Sequence, residues 1–516
     1  MPLCLFAVNA TGIPLRFKGG VRLLAGLAEK LNKPFFAKSS FWPALATLFF
    51  GSFVGMYHVV SLNVSLPGFM GIFHTDLGRV QWIVTGFSLA CGVIAPAAGY
   101  AENRFGGKKV FLSCLLGITV TSLLCALSWN IYALIAFRIL QGLFCGLIQP
   151  VSLAFIYRTV PAEKQPMAVS IWSFSTILGT ALAPSVSGWL QGYNWHWIFL
   201  VTVPIGMLAF IIGIRILPSS PVNKNTKLDR TGLVLAAAGS LSLLLLFGNI
   251  YAWGWHSAAF WVCLVTGLAC AALFVIHQLR SDSPLLQLRL FRNPTFAVSL
   301  VISLILSVAL YSGIYFIPLY LAEIHALSSF HIALLFLPGA ACLTCATFFS
   351  GRYYNKLGPA ALTIAGCVIL IATTYLFSRL QLSTSLLTIM VIIAIRNTGT
   401  GLALTPVTNA GMMAIPKELS GHASALINWL RQIFSSMALG LFTSLFYARL
   451  AVHQARIGEG EEVFPKAYTM SINDAFFISC VCILSALPLA FLLRKRQAGS
   501  KEADPAKLKK TVPTEG

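Results

Sequence analysis

Apolar positions in this chain come in long blocks, separated by short clusters of charge, Pro and Gly. A helix that crosses a bilayer needs roughly 20 mostly apolar residues, whereas strands of a membrane barrel would alternate apolar with polar positions. The blocks fit the first pattern. They predict fourteen crossing helices, at 43–67, 80–100, 110–129, 131–156, 167–190, 197–217, 231–250, 258–277, 296–321, 330–350, 360–379, 385–412, 421–446 and 475–493. Gly and Pro inside several blocks do not exclude helices, because neighbouring helices satisfy the freed backbone groups.

Composition agrees. Of 516 residues, 57% are hydrophobic and 10% charged, and the mean hydropathy is +0.81. A water-soluble chain is about a quarter charged, so soluble enzymes and nucleic-acid binders are excluded. The net charge of +21 then reports orientation. One side of the predicted membrane carries 28 of the 36 Lys and Arg residues, the other side 5, and three lie inside spans. Positive charge collects on the cytoplasmic side, which puts both termini there. Most of the twelve cysteines lie in apolar runs and read as small buried hydrophobes. Cys342 and Cys345 form a CxxC without a second ligand pair, so no metal site is expected.

Two loops on the basic side repeat. GYAENRFG (Gly99 to Gly106) and GRYYNKLG (Gly351 to Gly358) share G-x-x-x-N-(R/K)-(F/L)-G, 252 residues apart. Each is followed two spans later by a membrane-embedded arginine, Arg138 or Arg396. Two related sets of six spans, with two spans inserted between them, account for this. Parallel repeats of that kind belong to carriers that rock one bundle against the other. The domain plan is a basic N-tail at 1–42, a first bundle at 43–217, a linker with two inserted helices at 218–295, a second bundle at 296–493 and a C-tail at 494–516. The tail's basic residues among Leu23, Leu24, Leu27 and Leu31 would suit either a solvated segment or a helix on anionic lipid.

These residues resemble the major facilitator superfamily. GYAENRFGGKK (Gly99 to Lys109) is similar to the signature loop after helix 2, with Gly99, Asn103, Arg104 and Gly106 as its gating positions. Arg138, Gln141 and Gly142 are similar to the R-x-x-Q-G of helix 4, and ALAPSVSGWL, with Pro184 and Gly188, to the antiporter motif of helix 5. WHWIFLVTVPIG (Trp195 to Gly206), PLLQLRLFRNPTFA (Pro284 to Ala297) and GHASALINWLRQ (Gly421 to Gln432) resemble the 14-span drug:H+ antiporter branch. The resemblance covers about 43–495. It implies an all-α major facilitator fold and a proton-driven exporter of small molecules in the bacterial inner membrane, with no catalytic residues and no cofactor.

The chain departs from that pattern where protons are concerned. Aligned on Asn63 and Pro67, the helix-1 aspartate implied by the resemblance is His58, and the loop aspartate is Asn103, beside Glu102. None of the fifteen acidic residues falls in mid-span, while Arg138, Arg396 and Arg431 do. An arginine at the bilayer centre costs roughly 2.5–3.5 kcal/mol on insertion scales, so each needs a wet cavity or polar partners. Expected partners are Gln141, Gln149 and Asn63 for Arg138; Asn397 and Asn409 for Arg396; Gln432 and Asn428 for Arg431. Two readings stand. In one the arginines, with Gln141, Asn63 and Trp429, line an electropositive cavity that prefers anionic or polar neutral cargo over cations; in the other the arginines orient helices. His58 likewise reads as a proton carrier or as a neutral, hydrogen-bonded histidine. The alternative function is a carrier of an anionic metabolite or siderophore with no or atypical proton coupling. Expected partners are the small-molecule substrate and membrane lipid, but no nucleic acid; a periplasmic adaptor protein is the one macromolecule this reading admits.

Overall fold

The computed structural model describes residues 41–497 except 63, 64, 76, 220, 221, 223–226, 255, 459 and 461. The basic N-tail reading and the Asn63 position therefore lie outside the described residues, as does all but the start of the C-tail.

Helices begin where the sequence supplies caps. Asn130 Oδ1 accepts the Ala133 amide at 2.7 Å, and Asp229, Ser257, Asn293 and Ser385 cap four further helices in the same way. Each cap satisfies a backbone N–H that would otherwise lack a partner at the helix start. The first half holds α1 (Trp42–Val60), α2 (Leu66–Phe73), α3 (Leu77–Ile94), α4 (Ala98–Phe105), α5 (Gly107–Ala126), α6 (Ile131–Thr159), α7 (Gln165–Tyr193), α8 (His196–Leu200) and α9 (Thr202–Ile216). Next come α10 (Arg230–Trp253) and α11 (Ala258–Arg280), the pair expected from sequence to be inserted. The second half holds α12 (Pro294–Glu323), α13 (Ser329–Phe377), α14 (Leu386–Met413), α15 (Ser420–Ile457) and α16 (Val463–Gln497). Pro96 sits in a 3-10 turn, Ala95–Ala97, that separates α3 from α4.

Among the described residues, 13 helical segments are long and apolar enough to cross a membrane. One of them, α13, spans 49 residues and contains a non-helical Gly358 at φ 77°, ψ 158°. It is two crossings end to end, and counting it as two recovers the fourteen of the hydropathy pattern. Gly106, its repeat partner, has φ 85° and ψ 139° between α4 and α5. Only glycine adopts that region without strain, so the last glycine of each repeat marks the same backbone bend.

Helix α1 packs on α7 and α9, α3 on α6, and α5 on α6 and α9; in the second half α12 packs on α14, α15 and α16, and α13 on α14 and α16. Small residues set the closest approaches. A Cβ on Gly146 would lie 2.5 Å from the Cys91 carbonyl oxygen, and Gly142 meets the Phe87 carbonyl. This GxxxG pair draws α6 onto α3, as small residues do between membrane helices. Helix α10 lies against α3 and α15, bridging the two halves, while α11 packs mainly on α10. The outer face of α11 presents Val262, Val265 and Leu268, each more than half exposed. An apolar face of that kind is suited to hydrocarbon.

Candidate transport site and gate

The buried polar groups of the first half form one network. His58 of α1 is wholly buried, with Nε2 2.9 Å from Thr202 Oγ1 on α9 and 3.0 Å from Ser122 Oγ on α5. Its Nδ1 has no hydrogen-bond partner among the described residues. Arg138 is also fully buried. It donates to the Ile83 carbonyl at 3.2 Å, to the His58 carbonyl at 3.1 Å and to Gln141 Oε1 at 2.7 Å. The guanidinium stacks over the Phe87 ring, 3.8 Å from its centroid, a cation–π contact strengthened by desolvation. Gln141 completes the chain by donating to Ser122 Oγ at 2.8 Å. Five helices (α1, α3, α5, α6 and α9) are thus tied around one buried cation.

In the second half Arg396 donates to the Ala309 carbonyl of α12 and packs against Gly313. Arg431, only half-buried, donates to Ser303 Oγ at 2.8 Å and to Thr408 Oγ1 at 2.8 Å, joining α15 to α12 and α14. Of the partners expected from sequence, the structure pairs Gln141 with Arg138. Asn409 accepts instead from the Tyr157 hydroxyl of the opposite half, Gln149 donates to the Ser52 carbonyl and Asn428 to the Ser424 carbonyl. Trp429 turns toward the inserted pair, donating to Ser240 Oγ at 2.7 Å and meeting Phe274 edge-on. Pro184 and Gly188 sit half-buried within α7.

Hydrogen bonds between the halves gather at the end that carries the repeated loops. Glu102 is fully buried, and Arg158 Nε lies 3.3 Å from its Oε1. Arg158 also donates to Asn103 Oδ1 at 2.8 Å, and across the halves to Ser420 Oγ at 3.0 Å and the Glu418 carbonyl at 3.1 Å. Asn103 Nδ2 lies 3.0 Å from His422 Nε2, whose Nδ1 is 3.1 Å from the Leu285 carbonyl. The amide must donate to Nε2, so Nδ1 carries the hydrogen given to Leu285. The second repeat answers the first: Asn355 Nδ2 donates to the Glu163 carbonyl at 3.1 Å. Gly99 packs on the His422 backbone, and Gly351 on the Pro166 carbonyl. Each repeated loop therefore clamps the start of a long helix in the other half, α15 or α7. Arg104, in the last turn of α4, is partly exposed.

The sequence that folds in this way matches a known family profile. The profile of the Major Facilitator Superfamily matches residues 48–439. The chain belongs to the major facilitator superfamily. The chain is 32% identical over 416 residues to the uncharacterised MFS-type transporter YhcA of Bacillus subtilis, covering 80% of this chain and 78% of that protein. It is 26% identical to the lincomycin resistance protein LmrB of Listeria monocytogenes, covering 88% and 97%. Among solved structures, the human organic anion transporter MFSD10 superposes with a TM-score of 0.61 at 14% identity, covering 86% and 100%. The chain is a multi-pass membrane transporter rather than an enzyme, and resistance proteins stand among its relatives, consistent with the drug:H+ antiporter branch.

Hydropathy and motifs exposed Arg138, Gln141, Asn103 and His58. They did not single out Ser122, Thr202, Arg158 or His422 as partners, because an isolated hydroxyl or cation on an apolar helix carries no signal until its neighbours are known.

Proposed function

We propose that this chain exports small molecules across the bacterial plasma membrane by alternating access, driven by the proton gradient. The observation that carries the reading is the clamp at the basic end. Two halves bonded at one end through Arg158, Asn103, His422 and Asn355 represent one limiting state of a rocking carrier. The charge distribution makes that end cytoplasmic, with both termini beside it, so the conformation is the one closed to the cytoplasm. The relatives' resistance names favour the outward direction. We take the bundle boundaries to be 43–217 and 296–493, with the inserted pair within 218–295.

His58 is the coupling group in this reading. It is buried among hydroxyl partners and keeps one ring nitrogen without a hydrogen-bond partner. Arg431 is a half-buried cation of the second half held by hydroxyls, and no described carboxylate stands beside it in mid-span, which favours anionic or polar neutral cargo. His58→Ala in proteoliposomes tests coupling: loss of gradient-driven transport with retained downhill exchange is expected, and unchanged gradient-driven transport overturns the role. In the same vesicles, uptake of quaternary ammonium dyes without any carboxylate uptake would sink the charge preference.

A second reading, a carrier of an anionic metabolite or siderophore with atypical coupling, is favoured by the position of the described acids. Glu102 lies in the last turns of α4 and Asp229 caps α10, while Asp474 stands eleven residues into α16, where it is paired with Arg449 and His453. An adaptor protein on the far side fits the export reading and is tested by co-purification.

A further inference from the structure

A neutral histidine carries its hydrogen on one ring nitrogen and a lone pair on the other, and the partners of one nitrogen settle the state of both. Around His58 the partners have already placed their own hydrogens. Thr202 Oγ1 donates to the Phe199 carbonyl at 2.9 Å, and Ser122 Oγ to the Ile118 carbonyl at 2.8 Å. Ser122 Oγ also accepts from Gln141 Nε2 at 2.8 Å; Arg138, bonded to the Gln141 Oε1, fixes which way that amide faces. Both hydroxyl oxygens therefore meet His58 Nε2, at 2.9 and 3.0 Å, as acceptors. The hydrogen lies on Nε2. The bare lone pair lies on Nδ1, the buried nitrogen without a hydrogen-bond partner among the described residues.

One turn along α1 stands a second unpaired polar atom. Ser61, the C-cap of α1, keeps right-handed helical angles, φ −54° and ψ −34°, so it shares a face with His58 three residues before it. Helical Cβ atoms tilt toward the N-terminus, which sets the Ser61 hydroxyl over the turn that carries the imidazole. Ser61 Oγ is buried and has no hydrogen-bond partner among the described residues. Phe41, at the start of α1, lies beside Lys164 at the clamped end, so Ser61 is on the side of His58 away from the clamp. The titratable groups near the ring are Arg138, which donates to the His58 carbonyl, the Tyr57 ring, edge-on at 5.6 Å, and Cys125, within electrostatic reach of Arg138. The described acids of the first half, Glu102 and Glu163, are at the clamp. With no described carboxylate beside the ring, a hydroxyl is the group left to hand a proton to Nδ1.

We propose that Nδ1 of His58 is the proton-accepting atom, that Ser122 and Thr202 are positioning residues which fix its tautomer, and that Ser61 passes the proton in from the side away from the clamp. The inference rests on the reading of His58 as the coupling group. On loading, a hydronium ion of the outer medium gives a proton to the Ser61 oxygen, and the hydroxyl gives up its own hydrogen through one bridging water. An N–H bond forms at Nδ1, and Ser61 ends as it began. On release the Nδ1–H bond breaks to water. The Nε2–H bond persists throughout, so the ring stays tied to α5 and α9 in both charge states.

The test is nitrogen-15 NMR of the full chain, labelled at its histidine imidazoles, in an uncharged detergent. The His58 signals are assigned by their loss in His58→Gln or His58→Asn. Wild type at neutral pH is expected to show a hydrogen on Nε2 and a bare Nδ1, and acidification should add the second hydrogen at Nδ1. Thr202→Val combined with Ser122→Ala removes both acceptors, and signals of the Nδ1–H tautomer should then appear. Ser61→Ala should keep the wild-type tautomer yet slow gradient-driven transport several-fold in proteoliposomes, and Ser61→Thr, which keeps the hydroxyl, should restore the rate. A neutral wild-type ring with its hydrogen on Nδ1, a double variant with an unchanged tautomer, or Ser61→Ala as fast as wild type overturns the proposal. Unchanged gradient-driven transport in His58→Ala overturns the coupling role itself and this inference with it, whereas an Nδ1–H ring together with lost coupling in His58→Ala overturns this inference alone.

Discussion

Asn103 Nδ2 lies 3.0 Å from His422 Nε2, joining positions 319 residues apart. In the resembling family the loop position held by Asn103 carries an aspartate. The structure divides that residue's work: the neighbouring Glu102 supplies the charge facing Arg158, while the neutral amide of Asn103 accepts from Arg158 and donates to His422. An aspartate at 103 could not donate to a neutral imidazole nitrogen, so the amide and the His422 tautomer belong together.

The clamp depends on close approach at Gly99. A Cβ there would lie 3.0 Å from His422 Cα and 3.1 Å from its nitrogen, both backbone atoms that cannot swing away. Gly99→Val should therefore push α4 off α15. Labelling of a Ser424→Cys variant, now buried at the same seam, by an impermeant maleimide is expected to rise several-fold. Unchanged labelling would show that the clamp does not seal the end.

Glu102 has no hydrogen-bond partner on either carboxylate oxygen apart from its ion pair with Arg158. Glu102→Ala leaves Arg158 buried with fewer acceptors, at a cost of about 1–3 kcal/mol. Glu102→Gln keeps the shape and should cost less. Thermal unfolding in detergent checks the order: wild type above Gln above Ala. A Gln variant less stable than Ala would refute the pairing.

Arg138 should prove architectural to the first half. Arg138→Ala strands the Ile83 and His58 carbonyls and the Gln141 side chain in a dry interior, where about 3 kcal/mol of stability is expected to be lost. Arg138→Lys cannot reach three acceptors in one plane or stack on Phe87, so it should fall between the two. Apparent melting temperatures rank the variants; a wild-type value for Arg138→Ala excludes the role.

The inserted pair is clasped at the basic end. Asp229 caps α10 through the Gly232 amide at 2.7 Å and accepts from His277 at 2.8 Å and Gln278 at 2.7 Å on α11. Burial pulls its carboxyl upward, but these hydrogen bonds outweigh burial and hold it below the usual carboxylate value. A depressed acid stabilises the folded state above its unfolded pKa, and that contribution is lost as pH falls through the folded value. Wild type should therefore lose stability relative to Asp229→Asn on acidification below about pH 4. Parallel pH dependence of the two melting curves would count against the clasp.

Much was legible in the chain itself. Fourteen crossings and the repeated loops follow from apolar run length and glycine spacing, and the family from its resembling motifs, all local or summed along the sequence. Gly106 and Gly358 are typical: their conformational freedom is a property of the residue, so the matching bends could be anticipated. The facing of a buried group could not be anticipated in that way. Whether Arg138 looks into a cavity or into its own bundle, whether Trp429 meets cargo or α10, and which end is clamped depend on helix rotation and on partners hundreds of residues distant. Helix rotation is set by packing of side chains from several elements at once, and an apolar span looks much the same from every side until its neighbours are in place.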